Sequence, residues 1–252
     1  MPRARAPAAS RLPLVFLLPS LVTVLGLCAG LTSIRFAFDD NLTLAAGLLV
    51  LAALIDGMDG LLARRLDAAS PFGAELDSLS DFVCFGVAPA MLVYRFGLHG
   101  LAGLGWLAAL VLAICCCLRL ARFNVMAKDP EADVKSHFVG VPAPAGAMLA
   151  LFPVFLLLAG LGDLRGWPGL VAAWTLLVAG LFIAPFRTFS LKSVRVSRDR
   201  AVYVLVAAAV VVGLMLTRLW LFCVGASLVY MGLLVWGLLR RRGAGGGGGV
   251  PG

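Results

Sequence analysis

The chain has 252 residues, of which 62% are hydrophobic and 13% charged, with a net charge of +8. Soluble domains carry about 25% charged residues, so this composition excludes an ordinary water-soluble fold and points to an integral membrane protein. The basic excess does not indicate a nucleic-acid partner, because Lys and Arg fall at alternate ends of apolar runs, as cytoplasmic loops do.

Residues 1–14 form a short basic arm expected on the cytoplasmic side. The apolar run behind it mimics a secretory signal but continues to about Ile34, beyond the length of a signal core; a retained first span is expected. Eight apolar segments follow one another at about 15–36, 42–63, 74–97, 101–123, 144–162, 167–186, 200–217 and 219–239, most near the ~20 residues a helix needs to cross hydrocarbon. The expected architecture is therefore all-α, a polytopic integral membrane protein with about eight transmembrane helices in one domain over 15–242. The links FDDN (38–41) and GDLRGWPG (162–169) carry turn chemistry. The division between the last two spans rests on Thr217, Arg218 and Leu219 alone. Residues 243–252 are glycine-rich and expected to be a flexible tail. Cys28, Cys84, Cys115, Cys116, Cys117 and Cys223 lie in apolar segments without zinc-type spacing and read as small hydrophobes.

With the N-terminus inside, only Arg35, Arg95, Arg165 and Arg218 of the 21 Lys and Arg fall outside. This bias predicts a cell-membrane protein with both termini in the cytoplasm.

Residues 56–81, DGMDGLLARRLDAASPFGAELDSLSD, interrupt the apolar pattern with four carboxylates, Asp56, Asp59, Asp77 and Asp81. Spacings of three and four put each pair on one helix face. Ser70 followed by Pro71 predicts a new helix with a serine cap and proline at its first position. The two helices would form a hairpin, its carboxylates facing each other at the cytoplasmic end of the second and third spans. Buried together, such groups repel one another and lose solvation at several kcal/mol per ion. A divalent cation removes that cost, and an all-oxygen ligand set favours Mg²⁺, Mn²⁺ or Ca²⁺. Basic stretches at Arg64–Arg65, Arg119–Lys135 and Arg187–Arg200 lie on the same side, and a carboxylate-held ion beside arginines suits phosphates. Gly57, Gly60 and Ala63 leave room for a ligand near the first aspartates, or for close helix packing.

The spacing D-x2-D-G-x2-A-R-x8-G-x3-D-x3-D is met by Asp56, Asp59, Gly60, Ala63, Arg64, Gly73, Asp77 and Asp81. It resembles the signature of the CDP-alcohol phosphatidyltransferases, integral membrane enzymes of phospholipid synthesis. RLARFN (Arg119–Asn124), F-x-G-x-P-x-P (Phe138 to Pro144), FRTFSLK (Phe186–Lys192) and LPSLVTVLGLCAG near the start resemble the phosphatidylserine synthase branch of that family. Ser20 departs from the asparagine expected after the proline.

The resemblance implies a phosphatidyltransferase fold over 15–242 and transfer of the phosphatidyl group from CDP-diacylglycerol to the hydroxyl of L-serine, releasing CMP. It implies that Asp56, Asp59, Asp77 and Asp81 hold Mg²⁺ or Mn²⁺ (Ca²⁺ being a further candidate), with Asp81 also the general base. Gly60, Ala63, Arg64 and Gly73 would form the CDP site. Arg119, Arg122, Arg187 and Lys192 are candidates for the acceptor carboxylate, although each alone also reads as a topology-setting or headgroup-facing charge. The resemblance further implies a homodimer among membrane lipids. Two alternatives stand beside this reading. The same chemistry could use glycerol 3-phosphate, inositol phosphate or choline, or the intramembrane carboxylates could mark a cation or metabolite transporter. Against the latter, the pairs sit at one face and are not repeated in residues 144–242.

Overall fold

The structure is a computed structural model describing residues 18–66, 70–127, 141–184 and 201–244, excluding the side chains of 63, 64, 127, 201–208 and 238–244. The basic arm, Arg187, Lys192 and residues 245–252 lie outside the described residues, as do the side chains of Ala63 and Arg64. The described elements are all helical: α1 (Leu18–Phe38), α2 (Leu42–Leu66), α3 (Pro71–Asp81), α4 (Ala88–Val93), α5 (Gly103–Ala127), α6 (Ala143–Ala150), α7 (Phe152–Leu158), α8 (Pro168–Ile183), α9 (Ala201–Thr217) and α10 (Leu219–Ala244). The path from α3 to α4 runs through a π-helical turn at Phe82–Val87, and a second π turn and a 3₁₀ turn continue α4 to Leu101. Pro71–Leu101 is therefore one 31-residue helical span.

Each of the eight expected apolar segments is helical over most of its described length. Among the described residues, five helices are long and apolar enough to cross a membrane: Leu18–Phe38, Leu42–Leu62, Pro71–Leu101, Gly103–Met126 and Leu219–Gly237. The fifth expected segment is two shorter helices, α6 and α7, joined at Leu151. Pro153 explains the break, because proline has no N–H to continue the α ladder and its ring crowds the preceding turn. The sixth is the 16-residue α8 and the seventh the 17-residue α9. The last two segments are separate helices, interrupted at Arg218, and α10 continues through Ala244, two residues into the stretch read as tail.

Local chemistry sets the turns. After α1, Asp40 adopts φ 57°, a left-handed conformation in which Asp is better tolerated than most residues. Asn41 then caps α2, its Oδ1 accepting from the Leu44 N–H at 3.1 Å. Arg95, near the end of the third span, reaches back to Asp40 at 2.7 Å. With the Arg35–Asp39 pair at 3.7 Å, this places Arg35, Asp40 and Arg95 at one end of the bundle. In the loop before α8, Arg165 donates to both carboxylate oxygens of Asp163, and the guanidinium holds that carboxyl below the usual carboxylate range.

Small residues and backbone approach dominate the core. Ala29, Ala37, Ala45, Ala46, Ala52, Ala88 and Ala90 are buried, whereas Leu21, Leu25, Trp106, Leu107 and Ile114 are exposed. That inversion suits a bundle whose outer solvent is hydrocarbon, where association comes from close packing. α1 packs on α2 and on the third span. A Cβ at Gly30 would lie 2.6 Å from Cys84 Sγ and 3.3 Å from its Cα, so only glycine lets these backbones meet there. Ser33 Oγ donates to the Ala45 carbonyl at 2.7 Å, closing the α1–α2 pair. All six cysteines are free thiols.

Candidate metal and phosphate site

Three helices converge on the carboxylates. α2 brings Asp56 and Asp59, and α3 brings Asp77 and Asp81. α3 begins where expected: Ser70 is extended, its Oγ accepts from the Gly73 N–H at 3.0 Å, and Pro71 follows. Such a cap contributes about 1 kcal/mol and fixes where Asp77 and Asp81 emerge. A Cβ at Gly73 would sit 3.1 Å from Ser70 Oγ and 3.6 Å from Ser20 Oγ. The hydroxyl that replaces the expected asparagine thus faces the first turn of α3.

Oxygens of Asp56, Asp59 and Asp77 all lie within 4.8 Å of one another. Two oxygens on opposite sides of one cation are separated by about 4–5 Å, given bond lengths of ~2.1 Å for Mg²⁺ and ~2.4 Å for Ca²⁺. The trio therefore fits a single hard divalent ion. The Asp81 carboxyl lies against that of Asp56, completing a set of four. A cavity of about 10 Å³ is lined by all four, with Thr23, Ser80 and Cys84, room for one water-sized body. Among the described residues, the ion pairs Arg35–Asp39, Arg95–Asp40 and Asp163–Arg165 all lie away from this cluster. Arg119 interacts electrostatically with Asp81, and the trio of Asp56, Asp59 and Asp77 is placed so that it could hold a cation.

Polar groups unforeseen in the sequence hold the cluster. Thr23 of α1 is buried, and its hydroxyl is placed to donate to Asp59 Oδ2 at 2.9 Å and to the Pro19 carbonyl at 3.0 Å. Asp59 itself is only 6% exposed, so Thr23 is its main neutral partner. Ser80, between Asp77 and Asp81, donates to the Thr23 carbonyl at 3.4 Å, and Cys84 Sγ donates to the Gly26 carbonyl at 3.4 Å. One face of α1 thus touches both carboxylate helices. On the other flank, Asn124 of α5 donates to Ser78 Oγ at 2.9 Å and accepts from it at 3.2 Å. The last residue of RLARFN therefore grips the residue next to Asp77.

The remaining expected site residues distribute as follows. Gly60 is half-buried beside Asp59. Gly57 is exposed, and a Cβ there would meet nothing within 4 Å, so helix packing within the chain does not require it. Arg119 is half-buried, with Nε enclosed and without a hydrogen-bond partner among the described residues, and it interacts electrostatically with Asp81. Arg122 is exposed; both arginines line a cavity of about 110 Å³ with Phe123, Met126 and Phe182.

Several apolar helices surrounding a tight carboxylate cluster define a multi-pass, all-α membrane protein with a site suited to a divalent cation. The CDP-alcohol phosphatidyltransferase family model matches residues 16–186, and the chain belongs to that family. Relatives named CDP-diacylglycerol–serine O-phosphatidyltransferase include one from Mycobacterium tuberculosis, 48% identical over 134 residues, covering 52% of this chain and 46% of that protein. Another, from Helicobacter pylori, is 35% identical over 144 residues, covering 56% and 59%. A third, from Bacillus subtilis, is 37% identical over 131 residues, covering 52% and 71%. The chain spans about half the length of the mycobacterial relatives it matches.

Proposed function

We propose that the protein transfers the phosphatidyl group of CDP-diacylglycerol to L-serine, forming phosphatidylserine and CMP. The observation that carries this reading is the convergence of Asp56, Asp59 and Asp77 oxygens within 4.8 Å, with Asp81 alongside. The names of the relatives support serine as the acceptor.

Asp56, Asp59 and Asp77 would hold Mg²⁺ or Mn²⁺, with Asp81 as a fourth ligand or neighbour. When bound, the ion offsets charge on phosphoryl oxygens. The protein's own groups do the rest. Gly57 and Gly60 leave the surface of α2 free of side chains, so the CDP group can lie close to the backbone there, flanked by Ala63, Arg64 and Gly73. Asp81 accepts the proton of the serine hydroxyl as that oxygen bonds to the lipid-linked phosphorus; the pyrophosphate bond to CMP breaks and CMP leaves with the electron pair. An ordinary carboxylate is a weak base for an alcohol, so holding the hydroxyl against the phosphorus supplies much of the acceleration. Arg119 is the favoured partner for the serine carboxylate. Its Nε lacks a partner among the described residues, it interacts with Asp81, and its cavity of about 110 Å³ suits a small amino acid. Arg122 lines the same cavity; Arg187 and Lys192 are further candidates. The charge pattern favours the cytoplasmic membrane, with both termini and the site facing the cytosol, and the family resemblance favours a homodimer.

The test is CMP release from CDP-diacylglycerol by the purified protein with Mg²⁺ or Mn²⁺, offering serine, glycerol 3-phosphate, inositol phosphate and choline separately. Serine-dependent release that chelation stops and metal restores is expected. Release with another acceptor overturns the serine assignment; turnover surviving exhaustive chelation overturns the metal. No release with any acceptor from folded protein overturns the enzyme reading in favour of a transporter.

A further inference from the structure

One wall of the Arg119 cavity is held from behind by another helix. The cavity, of about 110 Å³, lies between the last turns of α5 and the end of α8. Its sides differ in chemistry. Arg119 and Arg122 supply a charged side, where Arg119 Nε is enclosed without a hydrogen-bond partner among the described residues. Phe123, Met126 and Phe182 supply an apolar side. Phe123 is exposed, whereas Phe182 is only 2% exposed. The Phe182 ring is therefore the inner wall.

Behind that ring stands α6. A Cβ built on the buried Gly146 would overlap Cε1 and Cζ of Phe182 and lie 3.1 Å from its Cδ1. The ring edge thus fills the place of a side chain on α6 and has no room to retreat. A second contact pins the same two helices together. Pro153 has no N–H to offer the Leu149 carbonyl four residues earlier. The Trp174 indole of α8 donates to that oxygen instead, at 2.8 Å, and its ring lies 5.5 Å from that of Phe152 of α7. The proline that divides the fifth segment thereby helps to fix α8 against α6. Close-packed interiors transmit displacement. A methyl group added at Gly146 drives the ring toward the cavity, and a smaller side chain at position 182 enlarges it.

We propose that Phe182, backed by Gly146, sets the size of the acceptor that the site admits. The inference rests on the reading of the Arg119 cavity as the acceptor site. The acceptor carboxylate then lies on Arg119 and its hydroxyl toward Asp81, with which Arg119 interacts. The carbon skeleton between them is left against the apolar wall. Charge does not separate serine from its methylated homologues, because all carry the same charged groups. A rigid wall does, by rejecting the additional methyl.

The experiment measures kcat/KM for L-serine, 2-methyl-L-serine and L-threonine in wild type and Phe182→Ala. The last two acceptors keep the carboxylate, amine and hydroxyl and add one methyl, a difference worth about 10–200-fold in a tight apolar pocket. The ratio of methylated acceptor to serine is expected to rise at least tenfold in Phe182→Ala for one or both. A merely structural role lowers activity with all three together; ratios unchanged for both homologues overturn the proposal. Gly146→Ala is expected to raise KM for serine at least tenfold while KM for the CDP-lipid stays within about threefold. Adding Phe182→Leu to Gly146→Ala is expected to reverse that rise. A serine KM unchanged in folded Gly146→Ala, or still raised in the double variant, overturns the backing role. Calorimetric titration of the three amino acids in the presence of Mn²⁺ and CMP gives a readout independent of turnover. A preference for serine that falls at least tenfold in Phe182→Ala supports the proposal even if no phosphatidyl transfer is found. An equal preference in both proteins, or no binding of serine to wild type, overturns it even if phosphatidylserine is made.

Discussion

Replacing Thr23 with valine keeps the shape of the side chain and removes only the hydroxyl aimed at Asp59 Oδ2, 2.9 Å away. Thr23 and Asp59 are both 6% exposed, so water does not readily replace the lost donor. A hydrogen bond to a charged group is worth about 1.5–3 kcal/mol, and loss of a group orienting a metal ligand costs about 10–100-fold in metal affinity. The two scales agree, since 1.4 kcal/mol corresponds to about tenfold. Thr23→Val is therefore expected to raise the Mn²⁺ concentration for half-maximal CMP release by about 10–100-fold, while Thr23→Ser stays within about threefold of wild type. The assay is a metal titration at saturating lipid and serine, paired with direct Mn²⁺ binding by electron paramagnetic resonance. The same hydroxyl also faces the Pro19 carbonyl at 3.0 Å. If that bond were its only role, Thr23→Val would alter thermal stability and leave the Mn²⁺ titration at wild-type values. That result would refute the reasoning.

Asp81→Asn is expected to abolish transfer while the protein remains folded and inserted, as judged by size-exclusion profile and thermal melt in detergent; full activity would remove Asp81 from the base role. Gly57→Ala adds a methyl group where nothing lies within 4 Å, so stability should hold or rise by up to ~1 kcal/mol from helix propensity. KM for the CDP-lipid should rise if that open face is where the nucleotide lies, and an unchanged KM would remove Gly57 from the site. Gly30→Val forces atoms into Cys84, where even a Cβ would be 2.6 Å from Sγ; overpacking of this kind costs about 1–3 kcal/mol, and Cys84→Ala in the same chain should recover part of the lost melting temperature.

The membrane class and the carboxylate hairpin were legible because they depend on local pattern: apolar runs, the spacing of Asp56, Asp59, Asp77 and Asp81, and the Ser70–Pro71 start of α3. The groups that orient the carboxylates were not. Thr23 lies 36 residues before Asp59 and Asn124 lies 46 after Ser78, and a hydroxyl or amide in an apolar run gives no sign of its partner. RLARFN flagged the stretch containing Asn124 without saying what it touched. The division of 144–162 into α6 and α7 was signalled by Pro153 but masked by continuous hydrophobicity. The π turns flanking α4 had no sequence signal at all. Arg119 and Arg122, three residues apart, share a helix face and line one cavity, yet Arg119 is half-buried and Arg122 exposed, a difference that depends on neighbouring helices and not on local spacing.

The third span holds a last consequence. At 31 residues it is about 46 Å long, against a hydrocarbon core of ~30 Å. Its surplus belongs at the Pro71 end, where PFGAELDSLSD is far more polar than the segment after Phe82. Asp77 and Asp81 then stand at the boundary between hydrocarbon and headgroups, the one depth at which a lipid phosphate and a water-borne nucleophile can meet. On the proposed function, bilayer thickness would bear on the reaction. A thicker membrane draws this rigid rod inward and carries the carboxylates below the phosphate plane; a thinner one lifts them above it. Membrane composition would thus act back on the protein through hydrophobic mismatch, without a regulatory ligand.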